Sequence, residues 1–277
     1  MTKRYDLVKK IMRCPVCGSD LEITQDQKSA ACAGARRHSF DFSKEGYLSF
    51  PGKGGGDSKE AVDARRRFLD AAYYEPVARA VADTVSKYLS GDSLVIDAGC
   101  GEGYYTEKIA ERVGGVIGFD LSKFACAAAS KRAKREGREN ILYSTASVFE
   151  LPVKDGAADA IVNIFAPCAE EEYTRILSDG GYIFVVGAGK DHLMGLKRAI
   201  YDDVYENGER ADMPRELEHI ERIVSKHSIV VEGEENIAAL FSMTPYYWRT
   251  SEADKEKLLA LRTLETEIEF EINVYKK

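Results

Sequence analysis

Residues 95–103, Val-Ile-Asp97-Ala-Gly99-Cys100-Gly101-Glu102-Gly103, leave this chain few folds to choose from. Two apolar residues, an acid and three alternating glycines describe a strand running into a ligand-binding turn. A dinucleotide-binding turn asks for G-x-G-x-x-G, but Tyr104 follows Gly103, so the third glycine comes one residue early. Glycine at these positions lets the backbone approach a ligand with no Cβ in the way. Farther on, Val116-Ile-Gly-Phe-Asp120 reads as a second strand ending in an acid. A doubly wound α/β fold places there, roughly 20 residues past the glycines, the carboxylate that accepts ribose hydroxyls. Taken alone, Asp120 could equally cap the helix that begins after Ser122.

The turn resembles the start of class I S-adenosylmethionine (SAM)-dependent methyltransferases, whose domain is Rossmann-like. In that reading Asp97 faces the cationic methionine moiety, Gly99, Gly101 and Gly103 pass beside the cofactor, and Asp120 holds its ribose. Hydrophobic periodicity predicts strands near 94–98, 116–120, 141–145, 159–165 and 182–186, and helices near 103–112, 122–137, 169–178 and 191–206. Asp179-Gly180-Gly181 reads as the stop of the helix before the fifth strand. The alternation in Glu267-Ile-Glu-Phe270-Glu-Ile-Asn-Val274 predicts a half-solvated, antiparallel last strand. The crevice at the carboxyl ends of the parallel strands is then the expected ligand site.

At 277 residues the chain has room for one large domain and a small one. It contains no run of 18 apolar residues, and Met-Thr-Lys-Arg-Tyr-Asp has no apolar signal core. The expectation is therefore a cytoplasmic protein with no membrane partner. The net charge of −7 argues against a nucleic-acid partner, yet residues 1–70 carry +4 and the remainder −11. A polyanion would be met by the N-terminal part.

That part has its own chemistry. Cys14-Pro-Val-Cys17-Gly is a metal knuckle, and Cys32 and His38 would complete a tetrahedral Cys3His site for one structural zinc ion. A redox dithiol at Cys14 and Cys17 is the alternative reading. Large apolar residues are sparse over these fifty positions, so zinc would supply the missing stability. Pro51-Gly-Lys-Gly-Gly-Gly-Asp57 reads as a flexible linker. This divides the chain into a zinc-binding domain (1–50), a linker with helices (51–90, Pro76 opening the second of them) and a methyltransferase domain (91–277). Arg65, Arg66 and Arg67 could contact phosphate or form a solvated helix face.

The strand ending Asn163-Ile-Phe165-Ala166-Pro167-Cys168 lacks the Asn/Asp-Pro-Pro-aromatic pattern of enzymes that methylate exocyclic amines. Its Pro-Cys pair opens an alternative, a cytosine-C5 methyltransferase with Cys168 as nucleophile. A small-molecule methyltransferase with a structural zinc module is another.

One family gathers these motifs. Cys14-x-x-Cys17 with Cys32 and His38, the run from Phe40-Asp41 to Tyr47, Arg65-Arg66-Arg67-Phe68-Leu69-Asp70, Tyr74-Glu-Pro76, Gly99 to Tyr105, Ala166-Pro167-Cys168, His192-Leu-Met194 and Met243-Thr-Pro245-Tyr-Tyr-Trp248-Arg249 together resemble the RlmA (RrmA) family, from about residue 12 onward. These are bacterial 23S rRNA (guanine-N1)-methyltransferases. The resemblance implies methyl transfer to N1 of a guanine in a hairpin loop of 23S rRNA, an RNA-holding role for the zinc domain, and a homodimer. By the same likeness Tyr74, Gly101, Glu102 and His192 fall at SAM contacts. Guanine N1 must lose a proton to become nucleophilic. Glu170 and Asp159, and after them His192, are the candidate bases, and Phe165, Tyr246, Tyr247 and Trp248 are candidates to stack on an extruded base.

Overall fold

Successive β-branched residues point to opposite faces of a strand, and this chain uses both faces. Val95, Val116 and Val162 belong to one core with Phe68, Val81 and Phe184. Their neighbours Ile96, Ile117 and Ile161 belong to another with Ile11, Phe119 and Tyr173. Strands apolar on both sides must be covered on both sides, which is the condition for a parallel sheet between helices.

A computed structural model describes residues 3–52, 54–208, 210 and 213–277. It begins with α1 (Lys3–Ile11), β1 (Leu21–Ile23), β2 (Ser29–Cys32) and β3 (Ser39–Asp41), followed by α2 (Lys59–Asp70) and α3 (Glu75–Tyr88). Next come β4 (Leu94–Ala98), α4 (Tyr104–Ala110), β5 (Gly115–Asp120), α5 (Lys123–Arg135), β6 (Ile141–Thr145), β7 (Ala158–Ile164), α6 (Glu170–Ile176), β8 (Leu177–Ala188) and α7 (Met194–Ile200). The chain finishes with β9 (Glu218–Glu232), α8 (Glu234–Ser242), a 3-10 turn (Pro245–Trp248), α9 (Glu252–Leu259) and β10 (Thr263–Lys276). The large sheet has the order β6-β5-β4-β7-β8-β10-β9. Its first five strands are parallel, and β10 runs antiparallel between β8 and β9. This is the expected Rossmann-like sheet, with the strand order reversing beside β4.

Several elements differ from the sequence expectations. The helix before β8 ends at Ile176, and Asp179-Gly180-Gly181 lies inside β8, where the pairing register with β7 shifts. The helix expected over 191–206 is confined to Met194–Ile200, because Leu193 takes a left-handed conformation (φ 58°) and Tyr201 is extended. The last strand is not half-solvated: Glu269, Ile272 and Asn273 are buried along with its apolar residues. It lies inside the sheet because β9, a long strand of polar alternation, occupies the edge.

The N-terminal ribbon β1-β2-β3 is antiparallel and does not stand on a core of its own. Leu21, Phe40, Leu48 and Phe50 join Ile117, Phe119 and Leu142 of the sheet, and α1 adds Leu7, Val8 and Ile11. Leu48 also bridges to Ser144 as a parallel extension of the sheet beside β6. Its N–H donates to the Tyr143 carbonyl at 2.9 Å, and its own carbonyl accepts the Thr145 N–H at 3.2 Å. Among the described residues no helix is long and apolar enough to cross a membrane.

A shared core has a measurable signature. Ile11 is fully buried, so Ile11→Ala should lower global stability by about 2–5 kcal/mol. Chemical denaturation followed by far-UV circular dichroism should show one transition at lower denaturant. Loss of the ribbon alone, with the main transition unmoved, would contradict the shared core.

Candidate active site and metal centre

The metal centre is built by a tight i→i+4 turn. The Cys14 carbonyl accepts the Gly18 N–H at 2.8 Å, curling the knuckle so that Cys14 and Cys17 turn inward. Across from them, Cys32 ends β2 and His38 precedes β3, tied by the Cys32 N–H to His38 carbonyl bond at 2.9 Å. The four ligand atoms lie within 4.8 Å of one another. Cys17 Sγ is 3.7 Å from Cys32 Sγ, and His38 Nδ1 is 3.6 Å from Cys14 Sγ and 3.4 Å from Cys32 Sγ. A tetrahedron with ordinary zinc bond lengths has S···S and S···N edges of about 3.8 and 3.6 Å, so the donor set fits zinc as it stands. Hydrogen bonds from the Ser19 hydroxyl and backbone pull the Cys17 thiol down to about 6, which favours the ligating thiolate.

The second site is a cavity of about 970 Å³ at the carboxyl ends of β4, β5 and β7, within the roughly 300–1,000 Å³ typical of ligand pockets. Tyr74, Asp97, Gly99, Gly101, Glu102, Asp120 and His192 all line it. Gly99 (φ +85°) leaves β4 so close to β7 that a Cβ would sit 2.4 Å from Ala166 Cβ. A Cβ on Gly101 would meet nothing nearer than Arg65 Nη1 at 3.8 Å and would intrude on the cavity. Gly103 lies off the lining, against Tyr143 and Ala129, where it turns the chain into α4.

The charged groups are arranged with economy. Asp97 is 1% exposed and accepts the Thr106 hydroxyl at 2.5 Å. Burial, with Asp120 and Glu102 nearby, pushes its carboxyl up to about 7. Asp120 accepts the Gly101 N–H at 3.0 Å and the Ser122 N–H at 2.7 Å, so it fixes the glycine turn while facing the cavity. Glu102 is held at 3.3 Å by Arg132, which also reaches Asp70 of α2 at 2.8 Å. His192 is 7% exposed, and burial holds its imidazole neutral, down to about 3. Its Nδ1 accepts the Glu269 N–H at 3.3 Å, so the ring proton sits on Nε2. An imidazole in that tautomer donates and cannot serve as a base, which removes His192 from that role.

Asp159 lies at the opposite end of the sheet. It starts β7 and accepts the Leu94 N–H at 2.7 Å, so it ties strand beginnings together. Glu170 lies off the cavity lining and accepts the Arg215 and Glu216 N–H groups at 2.6 and 2.8 Å. Neither acid is on the lining of the cavity. Cys168 is also off the lining, half-buried against the core of the other face, so the covalent alternative loses its nucleophile. Phe165 and Tyr246 line the cavity, Tyr247 packs on Phe241, and Trp248 stands outside. Of the three arginines of α2, Arg65 lines the cavity and pairs with Asp57 at 2.6 Å. That pair makes the expected linker a wall: the Ser122 hydroxyl donates to the Asp57 carbonyl at 2.7 Å.

Sequence reading missed two wall-builders. Asn207 lines the cavity and gathers the His192 carbonyl, Lys197 and the Tyr246 hydroxyl. Arg210 reaches Asn163 at 3.0 Å and the Ala166 carbonyl, bracing the end of β7. Both sit in an irregular stretch with no periodicity to mark them.

The described residues thus carry a cofactor crevice, a zinc tetrad and an aromatic-lined pocket. Known proteins share this combination. Residues 95–181 match the methyltransferase domain model and residues 12–50 match the RlmA N-terminal zinc-ribbon model. A Bacillus subtilis relative, YxjB, named for 23S rRNA (guanine-N1) methylation, is 28% identical over 92% of each chain. A Streptomyces fradiae 23S rRNA (guanine(748)-N(1))-methyltransferase is 31% identical over 70% of this chain and 69% of its own. Among solved structures, the YcgJ protein from Bacillus subtilis shares the fold, with a TM-score of 0.50 at 16% identity over 72% of this chain and 97% of that one. The chain is a SAM-dependent methyltransferase with a structural zinc ribbon, and it belongs to the RlmA family of 23S rRNA (guanine-N1)-methyltransferases.

Proposed function

We propose that this protein transfers the methyl group of SAM to N1 of a guanine in a hairpin loop of bacterial 23S rRNA, in the cytoplasm. Residues 1–50 grip RNA, 51–90 connect, and 91–277 carry the chemistry. The relation to the Streptomyces fradiae enzyme, which extends over 70% of this chain, carries the reading. The pocket supports it.

Bound SAM supplies a methyl group already activated on a sulfonium. The protein's task is then to align donor and acceptor and to exclude water. Asp97 offers a carboxylate to the sulfonium end, Asp120 takes the ribose hydroxyls, and the turn from Gly99 to Glu102 lies along the methionine. Tyr74 and His192 close the far wall. Phe165 is 49% exposed, lines the cavity and holds a left-handed backbone (φ 54°). A bulky residue kept in that conformation is strained, and Phe165 is propped edge-on by Phe270 at 5.2 Å. It presents a ring next to Ala166, the residue in contact with Gly99, which suits it to stack on a target base beside the methyl donor. Each of the four carboxylates on the lining already has a partner: Asp57 has Arg65, Asp97 has Thr106, Glu102 has Arg132, and Asp120 has two backbone N–H groups.

Incubating the protein with labelled SAM and unmethylated 23S rRNA, then mapping the modified base by reverse-transcriptase arrest, tests the assignment. Label confined to small metabolites would refute it. Asp120→Ala should weaken SAM binding by roughly 30- to 150-fold, since it removes two hydrogen bonds of about 1–1.5 kcal/mol each; titration calorimetry reads this directly.

The Asp97 carboxyl gives SAM binding a pH dependence of definite sign. Its folded pKa, about 7, lies above the unfolded value of 3.8, so the folded state holds the proton between those values. Stability is fully present below pH 3.8 and declines as pH rises toward 7. A sulfonium favours the ionised form, so affinity for SAM should rise with pH up to about 7, by at most about tenfold per unit, and then level off. Asp97→Asn should flatten the profile. An unchanged profile in that variant would assign the titration elsewhere.

Removing zinc with a strong chelator should lower the melting temperature and weaken RNA binding, because metal binding is part of the ribbon's folding free energy.

A further inference from the structure

The aromatic residues of the 245–248 turn divide into three environments. Tyr246 lines the cavity, and its hydroxyl donates to Asn207 Oδ1 at 2.9 Å. Tyr247 is half-buried against Phe241, with ring centroids 5.3 Å apart. Trp248 is 84% exposed. An indole contributes to stability by burial, and this one has almost none. Among the described residues its ring neighbour is Tyr247, edge-on at 5.1 Å and 89°, which leaves the indole face open.

The turn itself is rigid. The Tyr246 carbonyl accepts the Arg249 N–H, the Thr250 N–H and the Thr250 hydroxyl, at 2.9, 3.0 and 2.8 Å. Thr250 is tied in turn to the Tyr201 hydroxyl at 3.0 Å. Trp248 is therefore carried on the same stiff element as a wall of the substrate cavity, two residues away. Arg249 beside it is exposed and has no ion-pair partner among the described residues. Of the three acids that follow, Glu252 and Asp254 pair with Lys255 and Lys257, and Glu256 is exposed to solvent. An open aromatic face next to a free guanidinium is the composition of a single-stranded nucleic-acid site: the ring stacks on any base, and the cation meets the phosphate.

We propose that Trp248 and Arg249 form a second base subsite, outside the cavity, which stacks an unpaired nucleotide next to the target guanine and holds its phosphate. The subsite rests on the rRNA reading of the cavity. It adds to that reading a second anchor, so that the loop is held on both sides of the extruded base. Tyr246 faces inward and Trp248 outward from one turn, which sets the spacing between the two bases.

Trp248 is the only tryptophan in the chain, so its fluorescence reports the subsite alone. Titrating the zinc-loaded, full-length protein with 23S rRNA hairpin transcripts should quench the indole saturably, in step with methylation. Trp248→Ala should raise the RNA dissociation constant and KM by about 5- to 150-fold, the worth of one stacked base, with SAM affinity and melting temperature unchanged. Trp248→Phe should recover most of the loss. Arg249→Ala should reduce the salt dependence of RNA binding by about one phosphate contact. Unquenched indole and an unchanged KM in Trp248→Ala, with rRNA still methylated, would overturn the subsite and leave the function standing. A Trp248→Ala protein that binds RNA normally but changes its sedimentation mass would show the face to be a self-association surface and would also overturn the subsite. If wild-type protein methylates no RNA, the underlying reading falls together with the subsite.

Discussion

The contact of Gly99 with Ala166 is the constraint on which the site depends. The two residues follow the ends of adjacent parallel strands, and there is room for one methyl group between them, not two. Because β4 and β7 hydrogen-bond in register from Val95 and Ala160 onward, their ends cannot drift apart without breaking the ladder. The glycine turn and the Phe165-Ala166 wall of the cavity are thereby kept at van der Waals distance. Proximity catalysis requires fixed placement of donor and acceptor, and here it comes from sheet geometry, which is stiffer than any loop.

Around that contact the chain spends charge on rigidity. Arg132 is 9% exposed and bridges Glu102 of the turn to Asp70 at the end of α2. A buried cation with one partner would be costly, whereas two carboxylates and the Glu102 carbonyl satisfy it. The consequence is mechanical: α2, which precedes the domain in sequence, is fastened to the cofactor turn. Arg65 of the same helix pairs with Asp57 on the wall of the cavity. The segment 54–57 looks like a spacer by composition, yet it forms part of the wall because its ion pair and the Ser122 hydroxyl hold it there.

How much of this can be read in the sequence depends on what each signal measures. The glycine turn and the two strand-end acids are legible because backbone geometry demands them, and the structure gathers Asp97, Gly99, Gly101 and Asp120 around one cavity. The four metal-ligand residues are legible for the same reason, since coordination fixes residue type. Asp159 and Glu170 lie off the lining, because side-chain chemistry says nothing about which end of a strand an acid occupies or which backbone groups a helix-opening acid will bind. Asp159 begins β7 whereas the cavity lies at its other end. β9 escaped notice because an edge strand paired on one side tolerates the alternation Glu-His-Ile-Glu-Arg-Ile, which periodicity reads as surface. Arg210 and Asn207 had no pattern to betray them, since their placement comes from contacts with residues more than 10 positions away, such as Asn163 and His192.

The zinc ribbon is joined to the cofactor crevice more intimately than a tethered module would be. Leu48 leaves the ribbon and pairs with the end of β6, where the Ser144 hydroxyl donates to its carbonyl at 2.8 Å and Thr145 Oγ1 accepts the Phe50 N–H at 3.0 Å. The next four residues, Ala146 to Phe149, line the cavity. Zinc holds the tetrad, the tetrad holds β2 against β3, and the chain leaving β3 extends the sheet beside the strand that supplies this wall. Ligands that bind the same folded state stabilise one another's sites through whatever structure they share. Residues 48–50 are that shared structure here: three residues of pairing join the ribbon to the end of β6, whose continuation lines the cavity.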